Sequence, residues 1–445
     1  MNRTILLIGA GRSASSLIKY LLDCSAEQSW TLHVGDLSEE LAKQKTGNHP
    51  NAKAIRFDIH DEKIRTAEIG KADLVISMLP AHLHLPVAEE CVKQKKNLLT
   101  ASYVSAEMQS LDESAKQNGV LLLNECGLDP GIDHMSAMKI IDEIKSGGGE
   151  VISFKSYTGG LVAPESNDNP WGYKFSWNPR NVILAGQGTA KYIEKNRYRY
   201  IPYSRLFTDT EQISVNGFGD FDGYANRDSL AYRKIYGLEN IPTMLRGTLR
   251  QKGFCKAWNV FVQLGLTDDS YSIEDSEHLT YRQLVEALLP VDIAGDSVLS
   301  RVALLMNMNE NNEVIQKIAW TGILEDKPIG LKKATPAQIL QYLLEQKWKL
   351  KETDKDMIVM QHQFEFRNPK SEIRKIVSSL VVTGENSIQT GMAKTVGLPL
   401  GIAAKLILNK NIKMKGVQVP VQKEIYDPVL NELKNFGIDF SEQRM

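Results

Sequence analysis

The chain has 445 residues, of which 42% are hydrophobic and 24% charged, and its formal net charge is -1. This length exceeds what one typical hydrophobic core serves, so two or three domains are expected. The balance of 53 basic and 54 acidic residues gives no electrostatic reason to expect a nucleic acid or an anionic membrane surface as a partner.

Short apolar runs alternate with amphipathic stretches over the first 126 residues. Helix-like segments at 13–24 and 106–117 lie between runs that lack period-two alternation, as in strands buried on both faces of a parallel sheet. Strands separated by helices predict a doubly wound α/β domain. The predicted strands are 4–8, 31–35, 54–57, 74–79, 97–100 and 120–123.

The composition and periodicity of the sequence change after this domain. From about 150 to 265, Gly, Pro and aromatic residues become dense and helical periodicity is mostly absent, which predicts strands and long ordered loops. Residues 270–350 turn helical, with two capping boxes, the second followed by proline at the first helical position. The boxes are Thr280 with Gln283 and Thr335 with Gln338.

Strand-like sequence returns at 357–366 and 376–383, and two further helices are predicted, one from near Met392 and one over 428–436. No run approaches the roughly 20 apolar residues that span a bilayer, and the apolar run at 5–8 is too short for a signal peptide. The four cysteines lack zinc-site or disulfide spacing. We therefore expect a cytoplasmic protein without a membrane partner.

The segment Gly9-Ala10-Gly11-Arg12-Ser13-Ala14 follows the first strand and opens a helix, the context that a dinucleotide-binding glycine motif requires. Gly9 permits the tight turn, Gly11 lets the backbone approach a pyrophosphate, and Ala14 allows close helix packing. Phosphates favour the N–H groups and positive dipole end of such a helix. Residues 9–13 are therefore expected to contact the cofactor of a Rossmann-type sheet; a purely structural glycine turn is the alternative.

Two carboxylates follow the next strands. Asp36 ends the second strand, where a carboxylate accepts hydrogen bonds from the adenosine ribose and repels a 2′-phosphate. This favours NAD over NADP as the cofactor, and a helix cap is the alternative role. Asp58 follows the third strand, where it is expected either to contact the adenine edge or to lie in a plain surface turn.

The fourth strand ends in Ser77-Met78-Leu79-Pro80, at the carboxyl edge of the sheet where cofactors bind. Ser77, Leu79 and Pro80 are therefore expected to contact the cofactor. His82 and His84 follow on a loop, but no third ligand lies at metal-ligand spacing. No metal is expected.

Two longer motifs carry a family resemblance. Residues 100–103 read Thr-Ala-Ser-Tyr, and 124–134 read Asn-Glu-Cys-Gly-Leu-Asp-Pro-Gly-Ile-Asp-His. With them the sequence resembles the glutamate-forming saccharopine dehydrogenases, also called saccharopine reductases, which carry such a segment after the sixth strand. Similar segments extend over nearly the whole chain, at 154–157, 159–161, 164–165, 169–170, 173–177, 226–229, 246–250 and 392–399.

The resemblance implies oxidative cleavage of saccharopine to glutamate and 2-aminoadipate 6-semialdehyde in lysine metabolism, reversible as a reductive condensation. A hydride passes to the nicotinamide, and water hydrolyses the resulting imine. The same resemblance puts five residues around this small-molecule substrate: Ser102, Tyr103, Asp129, Arg227 and Thr248. Arg227 suits a bidentate carboxylate clamp. Asp129 and Tyr103 are the catalytic candidates, since both can handle the amine proton.

Structural roles are open for the same positions. Asp129 before Pro130 looks like a helix N-cap with proline at the first helical position. Arg227 could form a surface ion pair, and Tyr103 could only pack against the cofactor. Thr248 could be an ordinary strand residue.

Other positions are less specific. Leu128 is expected to contact the cofactor. Arg250 and Lys174 are further cationic candidates for the substrate site. A structural aromatic cluster is the alternative for Lys174 and Trp177. Fungal members carry Cys-Gly-Gly where residues 158–160 of this chain read Thr-Gly-Gly. A role for the thiol of that cysteine therefore cannot transfer to this chain. Those members also place Arg after the second strand, which suits NADP, whereas residues 35–37 of this chain read Gly-Asp-Leu.

The architecture implied by the resemblance is a homodimer of three-domain chains. A cofactor domain at 1–126, completed by about 395–445, is joined to a mixed α/β substrate and dimerisation domain at 127–268 and 356–394, and a mainly helical domain covers 269–355. Two other functions stay open. One is a related dehydrogenase acting on another carboxylated secondary amine of the carboxynorspermidine type, and the other is a non-catalytic dinucleotide-binding sensor.

Overall fold

A computed structural model describes residues 3–445. The chain forms two compact units, the first comprising Met1–Val151 and Phe366–Met445 and the second Ile152–Glu365. The finer division of the second unit, with a separate helical domain at 269–355, stays a prediction.

The strands are numbered in chain order. They are β1 Arg3–Ile8, β2 Trp30–Asp36, β3 Ala52–Arg56, β4 Leu74–Ser77, β5 Asn97–Thr100, β6 Leu121–Leu123, β7 Glu150–Val162, β8 Ala190–Glu194, β9 Arg197–Ile201, β10 Thr210–Val215, β11 Gly219–Ala225, β12 Thr243–Gln251, β13 Ile273–Glu274, β14 Lys333–Ala334, β15 Asp356–Arg367, β16 Ile373–Thr383, β17 Gly416–Gln418 and β18 Ser441–Arg444.

The α-helices are numbered in the same way. They are α1 Ser15–Asp23, α2 Ser25–Gln28, α3 Glu39–Thr46, α4 Glu62–Lys71, α5 His84–Lys93, α6 Ala106–Ser110, α7 Asp112–Gln117, α8 Ile132–Ser146, α9 Pro179–Ile183, α10 Tyr203–Leu206, α11 Tyr232–Ile235, α12 Phe254–Gln263, α13 Tyr281–Leu288, α14 Val298–Leu305, α15 Glu313–Trp320, α16 Pro336–Lys347, α17 Gly391–Leu408 and α18 Lys423–Leu433.

A seven-stranded parallel sheet dominates the first unit, in the order β17-β6-β5-β4-β1-β2-β3. Residues 5–8 of β1 are at most 1% exposed, because this central strand is covered by helices on both faces. The doubly wound parallel sheet predicted from the sequence is confirmed, and the six predicted strands differ from the observed ones only at their ends. The seventh strand, β17, was not predicted, because it has three residues and no sustained apolar run.

The helix α17 packs against α1 at positions where glycine is needed. A Cβ on Gly397 would lie 2.7 Å from the backbone nitrogen of Leu17, and one on Gly401 would lie 2.5 Å from the Tyr20 ring. The expectation that no run approaches the length of a membrane span is wrong for α17, which within residues 3–445 is the one helix long and apolar enough to cross a membrane. However, 72% of it is buried inside the fold. Such burial is typical of a core helix.

The second unit is built on a mixed sheet in which β10, β11, β12, β7 and β15 are neighbours in that order. The strand β12 pairs antiparallel with β11 and parallel with β7, and the hairpin of β8 and β9 extends from it. An aromatic cluster fills the core of the unit. Its stacked and edge-on rings include Trp171, Phe254, Trp258, Phe261 and Trp348.

Helix signals in the sequence were correct at some positions and wrong at others. Both predicted capping boxes are present, at the starts of α13 and α16. The expectation of little helix from about 150 to 265 missed α12. The predicted helix start at 428 is wrong because α18 begins at Lys423 and carries Pro428 inside. The apolar face of Ile425, Tyr426 and Val429 is buried, which offsets the hydrogen bond that proline cannot make.

Candidate active site

The glycine turn after β1 combines a close backbone approach at Gly9 with open space at Gly11. Gly9 has φ +102, and a Cβ there would lie 3.0 Å from the carbonyl oxygen of Met78. At Gly11 an added Cβ would meet no atom within 4 Å, and Gly11 and Arg12 are exposed while Ser13 is half-buried. The turn therefore offers open backbone at the entrance to α1, where an anion is favoured.

Asp36 anchors this turn. Its Oδ2 accepts a hydrogen bond from the Ala10 backbone nitrogen at 2.8 Å, and its Oδ1 accepts one from the Ser38 nitrogen at 3.0 Å. The cap of α3 is Ser38, whose hydroxyl accepts from Leu41, so the alternative of a capping role for Asp36 is wrong. Its carboxylate is held beside the glycine turn, and its contact with the ribose stays a prediction.

The other expected cofactor residues lie at the same edge of the sheet with different exposures. Asp58 is half-buried and accepts from the His60 nitrogen at 2.9 Å, as in a turn. Leu79 is half-buried and Pro80 exposed, whereas Leu128 is 5% exposed. Their cofactor contacts are not settled by these positions.

A buried imidazole lies between the ends of β4 and β5. His84 is 3% exposed; its Nδ1 is 2.8 Å from Ser77 Oγ, and its Nε2 is 2.7 Å from Ser102 Oγ and 3.2 Å from Thr100 Oγ1. Burial lowers the pKa of His84 to about 4, with a smaller effect from His82. The Ser77 side chain thus points to the imidazole, so a cofactor contact there would involve the main chain.

Metal ligation has no support at these two histidines. His82 is exposed, and the partners of His84 are hydroxyl groups. In the part of the chain that the structure describes, no group of three or more His, Cys, Asp or Glu side chains could hold a metal ion.

Asp129 and Tyr103 meet in the first unit. The Tyr103 hydroxyl donates to Asp129 Oδ1 at 3.2 Å, and both residues are half-buried. The predicted N-cap role of Asp129 is wrong, because Gly131 is the N-cap of α8. Backbone bonds from Gly127 to Pro130 and from Ile132 to Gly127 close a loop that delays the helix. The Asp129 carboxylate and the Tyr103 phenol are thus in direct contact, and their catalytic role stays a prediction.

A second buried network supports this loop and was missed by sequence reasoning. His134 Nε2 lies 2.8 Å from Glu125 Oε2, and Glu125 Oε1 accepts from the Val104 nitrogen at 3.0 Å. Asp133 Oδ1 accepts from Gly131 at 2.6 Å. The available signal was the density of ionisable residues in an otherwise apolar motif.

The remaining predicted substrate residues belong to the second unit. Arg227 is exposed with φ +51, and its carbonyl oxygen accepts from the Lys191 nitrogen at 2.8 Å. Thr248 is half-buried in β12, in register with Tyr224 on β11 and Thr158 on β7. Arg227 follows the last residue of β11 by two positions, and β11 is a strand that pairs with β12.

The two extra cationic candidates differ sharply. Lys174 is 2% exposed and is paired with Asp168 at 2.8 Å and Asp354 at 2.7 Å. Arg250 is 4% exposed, lies 5.5 Å from the ring centroids of Tyr173 and Phe254, and has no ion pair with any described carboxylate. Its Nη1 donates only to a main-chain oxygen at 3.2 Å.

Several buried side-chain atoms of the second unit have no hydrogen-bond partner among the described residues. Arg250 Nε, Thr158 Oγ1 and Ser176 Oγ are buried without a hydrogen-bond partner. Buried cations are normally paired, and buried hydroxyls are normally hydrogen-bonded. Arg250 therefore differs from Lys174 in its partners, although both cations are buried.

The parallel sheet, its glycine turn and the polar groups at the carboxyl ends of its strands define a dinucleotide-dependent oxidoreductase. Comparison with known proteins narrows this class. The model of the saccharopine dehydrogenase NADP binding domain matches residues 5–123, and that of the saccharopine dehydrogenase C-terminal domain matches residues 127–438.

Individual relatives agree with these matches. The chain is 32% identical to the saccharopine dehydrogenase [NADP(+), L-glutamate-forming] of Pyricularia oryzae over 99% of both chains. It is 34% identical to the mitochondrial alpha-aminoadipic semialdehyde synthase of Bos taurus, of which it spans 48%. The apo structure of saccharopine dehydrogenase (L-Glu forming) from Saccharomyces cerevisiae superposes with a TM-score of 0.88 at 30% identity, over 100% of both chains.

The chain belongs to the saccharopine dehydrogenase family. The resemblance inferred from its motifs is thereby confirmed.

Proposed function

We propose that the chain is a glutamate-forming saccharopine dehydrogenase of lysine metabolism. It would oxidise the secondary-amine carbon that becomes the aldehyde, with NAD(P)+, when bound, supplying the hydride acceptor. Water adds to the imine, the C–N bond breaks, and glutamate and 2-aminoadipate 6-semialdehyde leave with one proton released. The observation that carries the proposal is the Tyr103–Asp129 contact at the carboxyl edge of the cofactor sheet, in a chain similar to such enzymes along nearly its whole length.

Tyr103 and Asp129 are the catalytic residues of this proposal. The Asp129 carboxylate holds the substrate amine by a charge-assisted hydrogen bond and accepts its proton before hydride leaves. Tyr103 donates to the same carboxylate and so orients it. A group that both binds and deprotonates the nitrogen is needed, since a protonated amine cannot supply the electron pair of the imine.

Four further residues recognise the three carboxylates of saccharopine. Arg227 acts as the bidentate clamp, and Ser102 and Thr248 donate hydroxyl hydrogen bonds. Arg250 supplies a second cation, supported by its burial without an anion. Lys174 has no such role, because two carboxylates already neutralise it.

We further propose that the cofactor is NAD rather than NADP, although relatives of the chain are named for NADP(+). Residues 9–13, Asp58, Ser77, Leu79, Pro80 and Leu128 would line its site. The Asp36 carboxylate beside the glycine turn would accept from the ribose hydroxyls and repel a 2′-phosphate.

The cellular form we propose is a cytoplasmic homodimer. The four cysteines are free, as expected in a reducing compartment. The edge strand β9 exposes Tyr198 and Tyr200, each more than half accessible, and exposed edges are usually covered. Sedimentation velocity should give twice the 49.8 kDa chain mass; a species of one chain mass would refute the dimer.

Product analysis tests the proposed reaction. The purified chain with saccharopine and NAD+ should form glutamate and the semialdehyde in equal amounts, measured by mass spectrometry after trapping the aldehyde. Formation of lysine and 2-oxoglutarate, or turnover only of a carboxynorspermidine-type amine, would refute it. Tight cofactor binding without turnover of any amine would instead support a sensor.

A further inference from the structure

The imidazole of His84 connects a serine at the end of β4 with a serine proposed to bind substrate. Ser77 and Thr100 are at most 1% exposed, whereas Ser102 is half-buried. The distances are 2.8 Å from Nδ1 to Ser77 Oγ and 2.7 Å from Nε2 to Ser102 Oγ. The imidazole thus spans from a fully buried hydroxyl to one that retains access to solvent.

The main chain of Ser102 is also held by a hydrogen bond. Thr100 Oγ1 accepts a hydrogen bond from the Ser102 backbone nitrogen at 3.2 Å and lies 3.2 Å from His84 Nε2. Both the position of Ser102 and the direction of its hydroxyl group therefore depend on contacts within this cluster.

A neutral imidazole has one donor nitrogen and one acceptor nitrogen, and the two cannot change roles independently. His84 is neutral at physiological pH because its burial disfavours the charged form. The tautomer therefore couples the two serines. If Nε2 carries the proton, it donates to Ser102 Oγ and Nδ1 accepts from the Ser77 hydroxyl; in the other tautomer Ser102 must donate to Nε2.

We propose that His84 is a positioning residue that keeps the Ser102 hydroxyl as a hydrogen-bond donor to a substrate carboxylate, an inference that rests on the proposed function. The proton resides on Nε2, the ring donates to Ser102 Oγ, and the serine hydrogen points outward. In this arrangement the Ser77 hydroxyl donates to Nδ1, which leaves Nε2 as the donor nitrogen. His84 itself touches neither substrate nor cofactor in this arrangement.

A double-mutant cycle tests the coupling, with His84→Phe, Ser102→Ala and their combination assayed for saccharopine oxidation. His84→Phe should raise the KM for saccharopine by about tenfold and leave the KM for NAD+ within about twofold. The double variant should be no worse than Ser102→Ala alone, because both changes remove the same interaction.

The conservative variants give a second readout that does not require the phenylalanine variant to fold. The amide nitrogen of His84→Gln can replace Nε2 as donor, whereas that of His84→Asn reaches only the Nδ1 position. Gln should therefore retain most of the saccharopine KM and Asn should not, with NADH binding by fluorescence as the check of folding. Additive effects in the cycle, or equal KM values for Gln and Asn, would overturn the inference. Absence of saccharopine turnover by the unaltered chain would instead refute the proposed function.

Discussion

The polar groups singled out in the two units differ in their partners. In the first unit they bond to one another: Asp36 holds the Ala10 nitrogen, and Tyr103 donates to Asp129. In the second unit, Arg250 and Thr158 are buried with atoms that have no partner. The comparison indicates that the Asp36 and Asp129 carboxylates are held in position by neighbouring groups of the protein. Arg250 instead has no carboxylate partner among the described residues, which makes it the contrasting case.

Removing the proposed acid–base pair should have the largest effect. Asp129→Asn keeps the shape and a hydrogen bond to Tyr103 but cannot accept a proton, so kcat should fall by about 1,000-fold. Steady-state kinetics would measure this, with NADH binding as the check that the cofactor site is intact. A kcat within about threefold of the unaltered chain would remove Asp129 from catalysis.

Lys174 provides a test of a satisfied buried cation. Lys174→Met leaves Asp354 and Asp168 without their shared partner, and breaking such a pair should lower the free energy of unfolding by about 3 kcal/mol. Urea unfolding followed by fluorescence would report the change. An unaltered free energy of unfolding would mean that the ion pairs of Lys174 do not stabilise the fold. Lys174 and Arg250 would then not differ in the way proposed.

Arg250 should behave in the opposite way in the same two assays. Because no carboxylate of the described chain pairs with it, Arg250→Met should leave the free energy of unfolding unchanged or raise it. The KM for saccharopine should rise by about 100-fold, since a charged partner of the substrate is lost. If Arg250→Met instead destabilised the fold as Lys174→Met does and left KM unchanged, the cation would be structural.

The smallest effect is expected in cofactor choice. Asp36→Ala should lower the ratio of kcat/KM for NAD+ to that for NADP+ by about tenfold, since the charge that repels a 2′-phosphate is gone. Asp36→Asn is the matched control, because it keeps an acceptor for the Ala10 nitrogen and removes only the charge. Equal ratios in all three proteins would refute the assigned role of this carboxylate.

Local patterns in the sequence predicted those features that depend on local physics. The buried strands of the cofactor sheet and the capping boxes at Thr280 and Thr335 follow from apolar runs and from contacts three residues apart. The glycine turn was recognisable because a single φ value, at Gly9, requires glycine.

Features that depend on distant contacts were not predictable. The bond of Lys174 to Asp354 joins positions 180 apart in the chain, so nothing local distinguished this lysine from Arg250. The cap at Asp129 was mispredicted because the backbone loop from Gly127 closes first. The role of His84 depends on two strand ends that meet only in the sheet.

The most direct measurement is the absorbance of reduced cofactor after saccharopine is added to the purified full chain, with NAD+ or NADP+ in parallel. We predict that NADH forms in a saccharopine-dependent way, faster than NADPH, and that the reaction is lost in Asp129→Asn. No reduction of either cofactor, under conditions in which a family member from Saccharomyces cerevisiae is active, would contradict the account.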